Sequence, residues 1–271
     1  MIMTGKVTLV GAGPGDPGLL TLNALKAIES ADAVVYDRLV SDAVLALIPR
    51  GCPRFFAGKS CKEKAMTQEE IHELLLALAQ EGKHVVRLKG GDPLLFGRGG
   101  EEALELAKQH IPFEIVPGIT SAQGCAAYAG IPLTHRGLAS GVHFLTGHRI
   151  TAEEFDEPLQ LNWHSLADPD TTLVVYMGLA NLSIIAEKLI AHGLPKGTPA
   201  AAIADGTTPR QQVILSNLAE IAEAVARAKL EPPTLVIIGK VAALAAELRW
   251  FMPQDAENTA DYQEVVTKLS Y

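Results

Sequence analysis

The sequence predicts an α/β protein made of two α/β domains with mainly parallel sheets. Three observations carry that expectation. Short runs rich in Val, Ile, Leu and Ala alternate with longer stretches of helical periodicity. The apolar runs are continuous rather than alternating, as in strands buried on both faces. The alternation breaks once, at Ile131-Pro132-Leu133-Thr134-His135-Arg136-Gly137, and then resumes. The expected divisions are an N-terminal domain at 1–133, a C-terminal domain at 138–251 and a polar tail at 252–271.

Val7-Thr8-Leu9-Val10 reads as a buried strand that ends in Gly11-Ala12-Gly13-Pro14-Gly15-Asp16-Pro17-Gly18. A helix follows, with Leu22, Leu25, Ile28 and Ala31 near helical spacing. Ala33 to Tyr36 is a second strand ending at Asp37-Arg38, and Arg54 to Ala57 a weaker one ending at Gly58-Lys59. Thr67-Gln68-Glu69-Glu70 has the pattern of a capping box, opening an amphipathic helix through Ile71, Leu74, Leu75 and Leu78. Val85 to Leu88 is a strand that runs into Lys89-Gly90-Gly91-Asp92-Pro93-Leu94-Leu95-Phe96-Gly97-Arg98, with a helix from Glu102 to Gln109 behind it. Phe113 to Val116 is a strand ending at Pro117-Gly118-Ile119-Thr120-Ser121-Ala122. In the second half, strands are expected at Val142–Thr146, Thr172–Tyr176, Ala200–Ala204, Gln211–Leu215 and Thr234–Ile238. Helices are expected at Leu182–His192 and Leu218–Ala228, and residues 149–169 form a polar excursion.

Among 271 residues, 48% hydrophobic and 20% charged content predicts a sizeable packed core. A net charge of −8 argues against a surface that wraps nucleic acid, though not against a local basic pocket for an acidic small molecule. Cys52, Cys61 and Cys125 form no Cys-x-x-Cys pair, so neither a disulfide framework nor a zinc site is expected, and no metal. A reducing cytoplasm fits that cysteine usage. The N-terminus has no basic stretch followed by a long apolar one, so no signal peptide is expected. No apolar run approaches the roughly 20 residues that span a bilayer, so no membrane partner is expected either.

The strand ends carry the chemistry, because ligands of open parallel sheets bind beyond the carboxyl ends of the strands. Gly90 and Gly91 admit backbone angles closed to other residues and a close approach to the main chain, Asp92 is an acceptor, and Pro93 stiffens the turn. The loop Gly11-Ala12-Gly13-Pro14-Gly15-Asp16 partly matches a dinucleotide fingerprint, with Asp37 near the place of the ribose-binding acid. Asp16 stands where that fingerprint needs glycine, and Pro14 lacks the amide a pyrophosphate would bind. An NAD(P)-dependent oxidoreductase is the alternative this loop leaves open.

Taken in order, these loops resemble those of the uroporphyrinogen-III C-methyltransferases, within the tetrapyrrole methyltransferases. The resemblance runs from about Gly5 to about Val241. It rests on Val10 to Thr21, Val35-Tyr36-Asp37-Arg38-Leu39-Val40, Arg87 to Glu102, Val116 to Ala122, Tyr128 to Arg136, Tyr176-Met177-Gly178 and Pro232-Pro233-Thr234-Leu235. It implies two α/β domains with a cleft between them, in a cytoplasmic homodimer. It implies S-adenosylmethionine as methyl donor, meeting Pro14, Gly90, Gly91, Asp92, Leu95, Thr120, Ser121, Met177 and Gly206. It implies a tetrapyrrole substrate, uroporphyrinogen III, methylated twice to precorrin-2 on the way to siroheme, cobalamin or haem d1. The chain is expected to carry this module without the dehydrogenase and chelatase that some relatives fuse to it.

Arg98 and Arg136 are the expected carboxylate ligands, because arginine forks match carboxylates bidentately; Arg38, Lys59 and His135 are placed to add to them. Glu101 is expected to orient Arg98 or a pyrrole N–H. The resemblance assigns a proton-accepting role to Asp37 and a proton-returning role to Lys59, with Arg98 also essential to turnover. Asp37 beside Arg38 is equally compatible with a salt-bridged strand cap. A methyltransferase for a later precorrin and a non-catalytic tetrapyrrole carrier are further alternatives.

Overall fold

The computed structural model describes residues 4–58, 66–148 and 161–253 of the chain. The described chain divides into two compact units, Met1–Ser121 and Ala122–Tyr271. The division falls before the Ile131–Gly137 break that the sequence suggests. The intervening helix is built of small residues and has no apolar stripe to announce it.

The first unit runs β1 (Lys6–Gly11), α1 (Leu22–Glu29), β2 (Ala33–Tyr36), α2 (Asp42–Leu45), β3 (Arg54–Phe56), α3 (Gln68–Gln80), β4 (His84–Lys89), α4 (Gly99–Lys108) and β5 (Phe113–Val116). The strands are ordered β3-β2-β4-β1-β5. Every pairing is parallel. Side chains along a strand alternate between faces. Val7, Leu9, Val35 and Val85 therefore enter one core with α3 and α4, through Ile71, Leu75 and Leu106. Val10, Val34, Val86 and Leu88 enter the opposite core with Ile28 of α1 and Val44 of α2. Burial on both faces is why these strands read as unbroken apolar runs. The capping box on α3 is present: Thr67 Oγ1 accepts from the Glu70 amide at 3.2 Å, and Glu70 Oε2 accepts from the Thr67 amide at 2.6 Å.

The second unit takes up α5 (Ser121–Tyr128) from Ala122 onward. It continues with β6 (Gly141–Thr146), α6 (Trp163–Leu166), β7 (Thr171–Tyr176), α7 (Leu182–Ala191), β8 (Pro199–Ala204), β9 (Gln212–Asn217), α8 (Ile221–Arg227), β10 (Thr234–Ile238) and α9 (Ala245–Leu248). Its strand order is β6-β7-β10-β8-β9. Over both sheets five of the eight pairings are parallel, as expected. Taken alone, this second sheet is mixed. Only β6–β7 is parallel in it, while β10 runs against β7 and β8, and β8 against β9. The short loop from β8 to β9 leaves no room for a crossover helix, so those two strands pair as a hairpin. No helix among the described residues is long and apolar enough to cross a membrane.

Leu88 is fully buried in the α1/α2 core. Leu88→Ala is expected to cost about 2–5 kcal/mol, read as a lower denaturant midpoint at unchanged m-value. A loss under about 1 kcal/mol would contradict this packing.

Candidate functional site

Strands β4, β1 and β5 are neighbours, so their carboxyl-terminal loops meet at one end of the first sheet. They meet backbone to backbone. The Gly13 amide donates to the Gly91 carbonyl at 3.2 Å, and the Gly91 amide to the Gly13 carbonyl at 2.7 Å. Gly91 holds φ at 69° there, where a side chain is strained. A Cβ on Gly11 would lie 2.5 Å from the Gly118 nitrogen and 2.6 Å from the Gly91 oxygen. Asp92 ties two loops together: Oδ1 accepts from the Leu94 amide at 2.8 Å and Oδ2 from the Gly118 amide at 3.1 Å.

The structure thus brings together the loops that carry Pro14, Gly90, Gly91, Asp92, Leu95, Thr120 and Ser121. Pro14, Leu95, Thr120 and Ser121 are half-buried. Two expectations change in detail. Both Asp92 oxygens already accept main-chain hydrogen bonds. Gly90 is glycine because a Cβ there would lie 2.7 Å from Leu39 Cβ, a packing reason independent of any ligand.

Next to these loops lies a charge cluster whose members are scattered along the sequence. Arg87 and Lys89 of β4 and Glu102 of α4 are buried. Asp37, just past β2, keeps 27% of its side chain exposed. Glu102 Oε1 accepts from Lys89 Nζ at 2.8 Å, from Arg87 Nε and Nη2 at 3.2 Å each, and from Gln68 Nε2 at 3.2 Å. Arg87 Nη2 also donates to Asp37 Oδ1 at 2.6 Å, and Lys89 Nζ lies 3.5 Å from Asp37 Oδ2. Asp37 is therefore paired, but with Arg87 and Lys89 across the sheet; Arg38 is exposed. A signal for this existed. Val35 pairs in register with Arg87, and strand alternation sends Val35, Asp37, Arg87 and Lys89 to one face. Lys59 lies outside the described residues.

Arg98 precedes α4 in a left-handed conformation, φ 58°. Its fork is engaged: Nε donates to Glu101 Oε1 at 2.9 Å and Nη2 to Oε2 at 2.7 Å. Both nitrogens of the fork are thus held by the one carboxylate of Glu101. The hydrogen bond from Arg98 holds the Glu101 carboxyl below its usual range, and the same bond raises Arg98. A lowered acid keeps its charge above its ordinary value, so the pair is intact at neutral pH. It opens only as pH falls through the depressed Glu101 value. Arg136 is exposed, and His135 Nδ1 lies 2.9 Å from the Arg136 carbonyl oxygen.

In the second unit, Met177 follows β7 with φ 52° and is 50% exposed, an unusual state for an apolar side chain. Tyr176 beside it accepts the Ala122 amide on Oη at 2.9 Å. Gly206 is buried, and a Cβ there would collide with Cys125 Sγ. Burial pushes the Cys125 thiol up to about 12. Packing against that inert thiol accounts for glycine at 206.

The family model described as "Tetrapyrrole (Corrin/Porphyrin) Methylases" matches residues 6–222. A siroheme synthase from Nitrosospira multiformis is 54% identical over 250 residues, covering 92% of this chain and 52% of that protein. The chain thus spans about half the length of that relative. A structure of uroporphyrin-III C-methyl transferase from Thermus thermophilus, complexed with S-adenyl homocysteine, is 43% identical with TM-score 0.73, covering 88% of this chain and 98% of that one. A cobalt precorrin-4 methyltransferase structure is 27% identical with TM-score 0.77, covering 88% and 95%.

Gly11→Ala forces a methyl against backbone atoms that cannot step aside, so a loss of about 3 kcal/mol or more is expected. Gly100, in α4, meets nothing within 4 Å. Gly100→Ala is expected to gain about 0.5–1 kcal/mol. Thermal denaturation of both variants checks the pair, and equal effects would refute the loop contact.

Proposed function

The chain belongs to the tetrapyrrole methylases, and from that premise we propose that it methylates uroporphyrinogen III twice, with S-adenosylmethionine as donor, to give precorrin-2. The observation that carries this reading is the locked meeting of the Pro14, Gly90–Asp92 and Thr120–Ser121 loops. It occurs in a chain similar to the Thermus thermophilus enzyme over nearly that protein's whole length. The relative named siroheme synthase supports siroheme as the destination. A cytoplasmic homodimer is part of the same proposal.

The residues fit such a donor. Turns rich in main-chain polar groups suit its amino-acid and ribose parts, and the half-buried Leu95 and the exposed, left-handed Met177 suit its apolar parts. Pro14, Gly90, Gly91, Asp92, Leu95, Thr120, Ser121, Met177 and Gly206 are proposed to hold it. S-adenosylmethionine supplies a methyl group already activated on a sulfonium. Positioning therefore supplies most of the catalysis.

A nucleophilic pyrrole carbon takes the methyl, and the pair of the broken C–S bond goes to sulfur. A ring C–H bond then breaks, its electron pair restores the macrocycle's unsaturation, and the proton goes to Asp37. Lys59 is proposed to return a proton only where a second ring C–H proton leaves, so that each methyl gained releases one proton net. Arg98, Arg38 and Arg136 bind substrate carboxylates, and Glu101 sets the Arg98 fork. The Arg98–Glu101 pair is 57% and 52% exposed. An exposed pair contributes at most about 1 kcal/mol, so exchanging Glu101 for a substrate carboxylate costs little.

The cobalt precorrin-4 enzyme has a TM-score as high as the Thermus one, so a later precorrin is the second reading. Anaerobic incubation with uroporphyrinogen III and S-adenosylmethionine separates the two. Two methyl groups gained by product mass are expected. No gain, with S-adenosylhomocysteine still bound, would move the substrate to a later precorrin. Arg98→Ala is expected to lower kcat/KM for the tetrapyrrole about 10- to 100-fold, the loss of a charge-assisted hydrogen bond, with donor affinity unchanged. Loss of donor affinity in a folded variant would remove Arg98 from the substrate site.

A further inference from the structure

We propose that Arg87, clamped from behind by Glu102, is a positioning residue that fixes the Asp37 carboxylate for its proton-accepting role. The proposal rests on the reading of Asp37 given above.

One guanidinium spans two carboxylates. Arg87 Nε and Nη2 both lie 3.2 Å from Glu102 Oε1, and Nη2 reaches Asp37 Oδ1 at 2.6 Å. Because the guanidinium is planar and rigid, the grip on Glu102 sets where Nη2 points. Lys89 repeats the bridge, at 2.8 Å to Glu102 and 3.5 Å to Asp37. The side chains of Arg87, Lys89 and Glu102 are 2%, 4% and 0% exposed, so Asp37 is the member open to a ligand.

Stability alone does not account for the cluster. Burying two cations and a carboxylate incurs a desolvation penalty that apolar residues of similar volume avoid. Arg87 Nη1 and Glu102 Oε2 are buried without a partner among the described residues, a further cost. The ionic groups converge on one half-exposed carboxylate at the strand ends, beside the glycine loops.

The test is a double-mutant cycle of Arg87→Lys and Asp37→Asn. Single-turnover methyl transfer is the readout, and calorimetric S-adenosylhomocysteine affinity is the control for fold and donor site. Lysine keeps the charge but cannot reach both carboxylates with a fork. Arg87→Lys is expected to lower the rate about tenfold or more, in kcat rather than KM, with donor affinity within about twofold. The double variant is expected to be no slower than Asp37→Asn alone, because both changes disable one unit. Additive losses, or a wild-type rate in Arg87→Lys, overturn the positioning role while leaving Asp37 in place. A wild-type rate in Asp37→Asn overturns the Asp37 reading itself, and the positioning role with it. Should Arg87→Lys fail to fold, Glu102→Gln replaces it in the same cycle. It keeps an acceptor at Oε1 and removes the charge, and the same non-additive loss is expected.

Discussion

The close approach of three main chains at the end of the first sheet constrains everything near it. Gly11 ends β1 and Gly118 lies in the loop leaving β5, and each has backbone where another residue would have a side chain, while Gly91, in the loop leaving β4, holds a left-handed turn. The reciprocal Gly13–Gly91 hydrogen bonds extend pairing past the strand ends into the loops. Buried main-chain polar groups must be paired, and here two loops satisfy one another. Asp92 then ties the third loop through the Gly118 amide. The result is a rigid floor of main chain, preorganised without any ligand, and preorganisation lowers the entropy lost on binding.

Beside that floor, electrostatics takes over from sterics. Arg87, Lys89, Glu102 and Asp37 sum to zero formal charge. That balance lets Arg87, Lys89 and Glu102 stay almost wholly out of water. An unbalanced charge there would face the penalty that makes isolated buried ions rare. Glu102 is reachable by both β4 cations because 87 and 89 share a face and α4 lies on it. The sheet's two-residue period and one helix position thus produce the cluster together.

How far the sequence reveals this depends on the length and regularity of each signal. Strands buried on both faces are legible as Val-, Ile- and Leu-rich runs, and Thr67-Gln68-Glu69-Glu70 marks the start of α3. Helix α5 is hidden because Ser121 to Tyr128 supplies small residues in place of an apolar stripe. Helices α2, α6 and α9 span one turn each, too short for a period to show. The direction of β10 is set by its insertion between β7 and β8, a long-range fact with no local trace. The strand-end loops were legible as glycine motifs. Which partner demands each glycine was not: Leu39 for Gly90 and Cys125 for Gly206 are distant in sequence. Asp37 shows the same limit, since its neighbour Arg38 is exposed while its partners lie about fifty residues on, as the 50-residue separation from Arg87 records.

An acidic chain and the polycarboxylate substrate proposed for it are compatible on the same physics. At about 0.1 M salt, charges are screened over about 10 Å, so a net charge of −8 spread over the chain has little reach. What the substrate meets at contact distance is local. Arg38 and Arg136 are exposed with no ion-pair partner among the described residues, and Arg98 holds its fork on the exposed carboxylate of Glu101. Buried Arg87 and Lys89 are already balanced by Glu102 and Asp37 and are not available to bind carboxylates. The chain thus separates its cations by burial. In the proposed reading, exposed arginines serve recognition, and the buried pair holds the Asp37 carboxylate in place for the chemistry.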